Sequence, residues 1–257
     1  MTIKADLHNH FRTGSSFKDE DFDKVIDIAA ERIGENGVLG LTNFNDSRYE
    51  SFINLKGYDR QNLGNAVYIP EKKILIVKGQ EIPAKEGHIL ALGIKENKHL
   101  KWGNSLEDTI KEAKDNNGII VADHPFFKYG LGDYLKNNLN YLKDFDGIEV
   151  FNGECVGIPG LTPFKANKKS SEFLKVLRKQ GYSIGGIATS DSHSFYEIGK
   201  NYSHLGVLDI KNSETIASSL RKEIKSSDNY HGKASLIGLA SHIAGLGYYV
   251  AKSKLSL

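Results

Sequence analysis

Short apolar runs alternate along the chain with segments whose apolar residues recur at helical spacing, the pattern of βαβ units and a largely parallel sheet. The runs predict strands over 4–7, 37–42, 74–78, 88–94, 118–122, 147–151, 184–188 and 204–208. After the first, Val25, Ile26, Ala29, Ala30 and Ile33 share one helical face, which predicts a helix over 21–34 ending near Gly37. Ser105-Leu106-Glu107-Asp108 approximates a capping box and opens the next helix. Further helices are predicted over 132–143, 168–180 and 213–225. Segments 45–66 and 152–167 are polar and glycine-punctuated, which suits excursions over the surface or an active site. There are enough strands for an α/β barrel.

Length agrees with that architecture, since 257 residues fit a fold that runs to about 250 residues as one domain. The expectation is one domain over 1–257, with 209–257 as a terminal helical extension packed on it. Hydrophobic residues at 39% and charged residues at 26% can bury a sizeable core under a solvated surface. A formal charge of +2 is too near neutral for an extended nucleic-acid-binding surface, but it tolerates an anionic substrate if a metal supplies positive charge. Cys155 is the single cysteine, so neither an intramolecular disulfide nor a cysteine-based zinc cluster is available. Met1 to Leu7 lack a basic start and a long apolar run, and the expected location is cytoplasmic. Residues 235–251 carry no formal charge, yet three glycines and a run short of the roughly 20 residues of a span predict a buried or partner-facing helix instead of a membrane anchor. That stretch permits an interface without fixing an oligomeric state.

Metal-competent residues sit repeatedly beside apolar runs. His8 and His10 follow the first strand, Glu81 follows Ile74 to Gly79, His124 follows Ile119 to Asp123, and Asp191 and His193 follow Ile184 to Ser190. In a parallel barrel the carboxyl ends of the strands meet on one face, so these positions converge. Each signal alone has an ordinary explanation: a chance His-x-His pair, a solvated glutamate, or an aspartate starting a helix. Together they supply the three or four imidazole and carboxylate ligands that a divalent cation takes at about 2.0–2.2 Å. Arg12, two residues beyond His10, is placed for a bidentate contact with substrate phosphate, or is a surface arginine.

Asp6-Leu7-His8-Asn9-His10, Gly79-Gln80-Glu81, Gly87-His88-Ile89-Leu90-Ala91, Asp123-His124-Pro125 and Ser190-Asp191-Ser192-His193 stand in the order of the motifs of the polymerase and histidinol phosphatase (PHP) domain, a family of metal-dependent phosphoesterases that the chain resembles over about residues 3–208. Gly147 to Asn152 is similar to the strand between the last two motifs. The resemblance implies a distorted (β/α)7 barrel and two or three divalent cations (Zn, Mn or Fe). By position it implies that His8, His10, Glu81 and Asp191 hold one metal, that Glu81, His88 and His124 hold a second with Glu81 bridging, and that His193 serves a third. It also implies hydrolysis of a phosphate ester. A metal-bridged hydroxide is the expected nucleophile, with Asp191, His193 and Arg12 expected at the chemistry, and Arg12 and Asn152 expected toward a small phosphorylated substrate or short oligonucleotide. The chain departs from the family at the third site, with Asn43-Phe44 in place of Asp-His and no ligand around Ser15. That site is therefore expected to be absent or rebuilt, with Asp46 as one substitute, and His193 is either a ligand or the proton donor to the leaving oxygen.

Three other readings stay open. A related metal geometry can hydrolyse amides. A nuclease would use a basic track with stacking aromatics, for which Phe126 to Tyr129 and Arg48, Tyr49, Lys56, Tyr58 and Arg60 are available. A degenerate barrel would serve only as a partner-binding scaffold.

Overall fold

A computed structural model describes residues 2–11, 18–44, 48–155 and 165–233. The strands are β1 (Thr2–Asp6), β2 (Val38–Leu41), β3 (Gln61–Asn62), β4 (Ala66–Ile69), β5 (Ile74–Pro83), β6 (His88–Leu92), β7 (Ile119–Ala122), β8 (Gly147–Asn152), β9 (Gly185–Thr189), β10 (Tyr202–Gly206) and β11 (Tyr230–His231). The helices are α1 (Asp19–Ile33), α2 (Arg48–Ile53), α3 (Leu106–Asp115), α4 (Gly132–Asn137), α5 (Ala166–Lys179) and α6 (Ser213–Ser226), with a 3-10 turn over Leu139–Asp144.

The strands form one curled sheet in the order β11-β10-β1-β2-β5-β6-β7-β8-β9, with β4 on β5 and β3 on β4. The fold is a distorted α/β barrel. Its seam lies between β9 and β1/β10, where the Ala188 N–H donates to Ser203 Oγ at 2.9 Å and the His10 N–H donates to the Ser192 carbonyl at 2.8 Å. Asp6, fully buried at the end of β1, accepts from the Ser190 and Gly199 N–H groups at 2.9 and 2.8 Å and so ties the loop after β9 to the first strand.

The sheet is mixed, where the apolar pattern predicted a largely parallel one. Pairs β1-β2, β2-β5, β7-β8 and β8-β9 are parallel, but β6 runs antiparallel to both β5 and β7. Only residues 84–87 join β5 to β6, and a parallel pair needs a crossover of a dozen or more residues, so the short link forces a hairpin. β5 also outlasts its predicted end at Lys78: its backbone continues opposite β6, and the Gln80 amide exchanges hydrogen bonds of 2.9 and 2.8 Å with the backbone of Leu100. Glu81 thus lies inside a strand.

Segment 45–66 contains α2 and β3, with 45–47 outside the described residues. The helix predicted over 132–143 breaks at Asn138, where the Asn137 and Asn138 amides donate back to the Asp133 and Tyr134 carbonyls and compete with helical continuation. Helix α3 starts as predicted: Ser105 Oγ accepts from the Asp108 N–H at 3.2 Å, and Glu86 accepts the Leu106 N–H at 2.6 Å.

Inside the barrel Ala5, Leu75, Val77, Leu90, Val121 and Ile187 pack with Ile216, Leu220 and Ile224 of α6, so the final described helix covers the end where β8 and β9 begin. The approach is close: a Cβ on Gly185 would lie 1.6 Å from the Ile224 carbonyl oxygen. A second core between sheet and α1 holds Phe22, Ile26, Leu39, Leu41 and Ile76. No helix among the described residues is long and apolar enough to cross a membrane, and 235–251 lie outside them.

Candidate metal centre

The opposite barrel mouth collects the predicted polar residues. His8 and His10 leave β1, Asp123 and His124 leave β7, and Asp191 and His193 leave β9, while Glu81 projects from within β5. His88 is the first residue of β6; only because that strand is reversed does its beginning reach the face where its neighbours end. His124 and Asp191 adopt left-handed backbone with φ of 23° and 49°, a conformation that costs energy in non-glycine residues and that concentrates at functional sites.

Glu81 divides its carboxylate between two sets of donors. Oε2 lies 3.1 Å from His10 Nε2 and 3.6 Å from His8 Nε2, while Oε1 lies 2.6 Å from His88 Nδ1 and 3.5 Å from His124 Nε2. Asp191 Oδ1 completes the first set at 3.3 Å from His8 Nε2 and 3.2 Å from His10 Nε2. Asp123 Oδ2, 3.1 Å from His124 Nε2, joins the second. A third group brings His193 Nδ1 to 2.7 Å from Glu154 Oε1 and 3.7 Å from Asp191 Oδ1. His8 is fully buried while the His193 side chain is 20% exposed, so the cluster opens toward solvent on the His193 side.

Behind these groups lies an orienting layer. Glu149 accepts from His8 Nδ1 at 2.9 Å, Thr189 Oγ1 at 2.6 Å, the His124 N–H at 2.8 Å and Asn152 Nδ2 at 2.9 Å. By holding the proton on Nδ1 it leaves His8 Nε2 to face Glu81 and Asp191. Asn152, expected at the substrate, is fully buried; its amide also donates to Asp191 Oδ2 at 3.0 Å, and its oxygen accepts the Glu154 N–H at 2.9 Å. The structure places it behind the cluster, clamping two carboxylates.

The electrostatics follow from burial of opposite charges. Burial favours the neutral carboxyl of Glu81, but hydrogen bonds from His10, His124, His8 and His88 hold it well below the usual range. Burial opposed by His8 and His10 likewise leaves Asp191 low, and burial opposed by His8 leaves Glu149 at about 2. Burial disfavours the His124 cation, yet Asp123 and Glu81 raise it to about 10; His8 is raised by Asp191, Asp123 and Glu149. Burial, with the neighbouring Glu81 and Glu149 carboxylates adding to it, pushes Asp123 well up.

These residues fit divalent cations. Asp191 Oδ1, both oxygens of Asp123, His10 Nδ1 and His124 Nδ1 are buried without a hydrogen-bond partner, an expensive condition for carboxylates and imidazoles that coordination relieves. The donor set of imidazole and carboxylate suits zinc, iron or manganese.

Asp123, Glu149 and Glu154 were absent from the predicted ligand set. Asp123 adjoins His124, and Glu149 interrupts the apolar run Gly147 to Phe151, so an isolated charge within a strand was the available signal. Phe44, at the sequence position where the resemblance puts a third-site ligand, stacks on His10 at 5.3 Å between ring centres and meets His88 edge to face at 5.9 Å between ring centres. Arg12, Ser15 and Asp46 lie outside the described residues. His99 sits 3.5 Å from Glu50, and His204 and His231 lie on β10 and β11, away from the cluster.

No family model matches the chain. An uncharacterized protein of Methanocaldococcus jannaschii is 29% identical over 161 residues, covering 58% of this chain and 82% of that protein. Among solved structures, PsfC from Pseudomonas syringae superposes with a TM-score of 0.62 at 14% identity, covering 97% of this chain and 98% of its own. The lesion-specific endonuclease Q of Pyrococcus furiosus gives a TM-score of 0.56 at 15% identity, and endonuclease Q in complex with a 27-mer duplex carrying an abasic lesion gives 0.58 at 14%. This chain spans only 57% and 60% of those two endonuclease chains. The barrel is therefore similar in fold to PsfC and to endonuclease Q.

Proposed function

We propose that this chain hydrolyses phosphate esters, with phosphodiesters the favoured class, using divalent cations at the barrel mouth. The observation that carries the reading is Glu81, whose two oxygens face two separate sets of nitrogen and oxygen donors. His8, His10, Glu81 and Asp191 would hold one cation, and Glu81, His88, Asp123 and His124 the other. Bound divalent cations supply charge for the phosphoryl oxygens and acidify water toward neutral pH. The motif order supports membership of the PHP domain family, and the fold shared with endonuclease Q favours a diester over a monoester.

The protein's own groups then have separable tasks. Glu149 fixes the tautomer of His8, and Asn152 fixes the carboxylate of Asp191. His193, held by Glu154 and the Asp191 carbonyl, is positioned to protonate the leaving oxygen. Phe44 covers His10 and His88 with an apolar ring, which keeps bulk water from part of the cluster. Arg12 is assigned to the substrate phosphate, and Arg12→Ala is expected to raise KM about tenfold; an unchanged KM and kcat removes it from the site.

The test is elemental analysis of the purified protein, followed by assay of bis-p-nitrophenyl phosphate, p-nitrophenyl phosphate and an amide panel. Bound metal with turnover of the diester supports the reading. Amide turnover alone overturns it, and a protein that binds no cation when resupplied favours a scaffold.

A further inference from the structure

Beside the metal cluster a cleft of about 490 Å³ opens onto His88, lined by Phe44, Lys85, Trp102 and Tyr129. Its size suits one nucleoside-sized group. Trp102 is the chain's single tryptophan and is 59% exposed; Tyr129 is 63% exposed. Large aromatic rings left in water beside a polar site are unusual for a rim with no ligand to cover them.

The walls are fixed. The Gly103 N–H donates to the Pro83 carbonyl at 2.7 Å and the Lys85 N–H to the Asn104 carbonyl at 2.9 Å, which pin the Trp102 loop to the β5-β6 hairpin. The His88 N–H donates to the Tyr129 carbonyl at 2.8 Å, and the Tyr129 ring stacks on His88 at 5.5 Å and 18°. Gly87 leaves no room for a side chain, since a Cβ there would lie 2.8 Å from the Tyr129 carbonyl oxygen. A cleft pre-formed in this way loses little entropy on binding.

Charge agrees with an anionic occupant. Lys128 Nζ lies 4.8 Å over the Tyr129 ring and Lys85 lines the cleft, while the Glu86 carboxylate is engaged by the Leu106 N–H at the start of α3. Aromatic faces flanked by lysines, next to a phosphate-ester site, are the chemistry that binds a nucleobase and its adjoining phosphate. The geometry points to this cleft as a subsite for a nucleobase stacked on Trp102, which makes the substrate a nucleotide ester; the inference rests on the phosphoesterase reading for the identity of the neighbouring site.

Trp102 reports on its own cleft, because fluorescence excited near 300 nm comes from this residue alone. Titration of the full chain, with chelator present to block turnover, compares the dinucleotide TpT with base-free deoxyribose 5-phosphate. Quenching by TpT and not by deoxyribose 5-phosphate is the expected result. Tyr129 has φ of 65°, so Tyr129→Asn removes the ring with a residue that tolerates this backbone, and is expected to weaken TpT about tenfold, while Tyr129→Phe preserves binding. Equal or absent quenching by the two probes, or a Tyr129→Asn variant that binds like wild type, overturns the subsite. The two readings fail separately: quenching without diester hydrolysis in the metal-loaded protein removes the phosphoesterase, whereas hydrolysis without quenching removes the cleft.

Discussion

In the proposed centre both cation sites would depend on Glu81, since one of its oxygens faces His10 and the other His88. Glu81→Gln keeps the shape and removes the charge; metal content is expected to fall from about two equivalents to well under one, measured by elemental analysis. A variant retaining both metals would place the cations elsewhere. His193→Gln separates two roles. As proton donor, its loss lowers kcat about 100-fold for an alkyl diester and much less for a p-nitrophenyl ester, whose leaving group needs no proton, with metal content unchanged. Loss of metal together with equal losses on both substrates assigns His193 as a ligand. The pH dependence follows from the imidazoles. Asp123 and Glu81 push His124 up to about 10 in the folded chain from an ordinary 6.5, so the stability it contributes is complete below 6.5 and is lost as pH rises toward 10. A cation competes with that same proton. The rise in Tm on adding Zn or Mn over a chelated sample is therefore expected to grow between pH 6.5 and 9, and a rise that shrinks with pH would contradict the ligand assignment of His124.

At the scale of elements, β6 shows where sequence patterning stops. Its apolar residues and its start at His88 were legible, though the strand ends at Leu92 and not at Ile94, but direction depends on the four-residue link 84–87 and not on side-chain periodicity. The motif residues His8, His10, Glu81, His124 and Asp191 could be read because each stands out as a polar group beside an apolar run. Glu149 and Asn152 were harder to assign, because their roles depend on what β7 and β9 bring beside them. Asp46 and Arg12 rested on proximity along the chain alone. Helix α6 is a further element whose importance its periodicity understated. Gly185→Ala forces a methyl against the Ile224 carbonyl, and urea unfolding is expected to show a loss of about 1–3 kcal/mol. An unchanged midpoint would mean that α6 can move away from the barrel without cost.

For the whole molecule, a formal charge of +2 limits how much affinity can come from counterion release. If the substrate is a nucleic acid, the slope of log K against log salt is expected to be shallow, of magnitude below about 3, with affinity carried by cations and ring stacking. A steep slope would require a basic track outside the cleft. The seam between β9 and β1/β10 has a consequence for biosynthesis. Strand β1 leaves the ribosome before the loop that its Asp6 and His10 must grip, which contains Ser190, Ser192 and Gly199, and α6, which covers the far end of the barrel, follows later still. The nascent chain therefore keeps His8 and His10 without their partners until the residues near 200 have emerged, and a cation held by the complete cluster would enter only as the barrel closes.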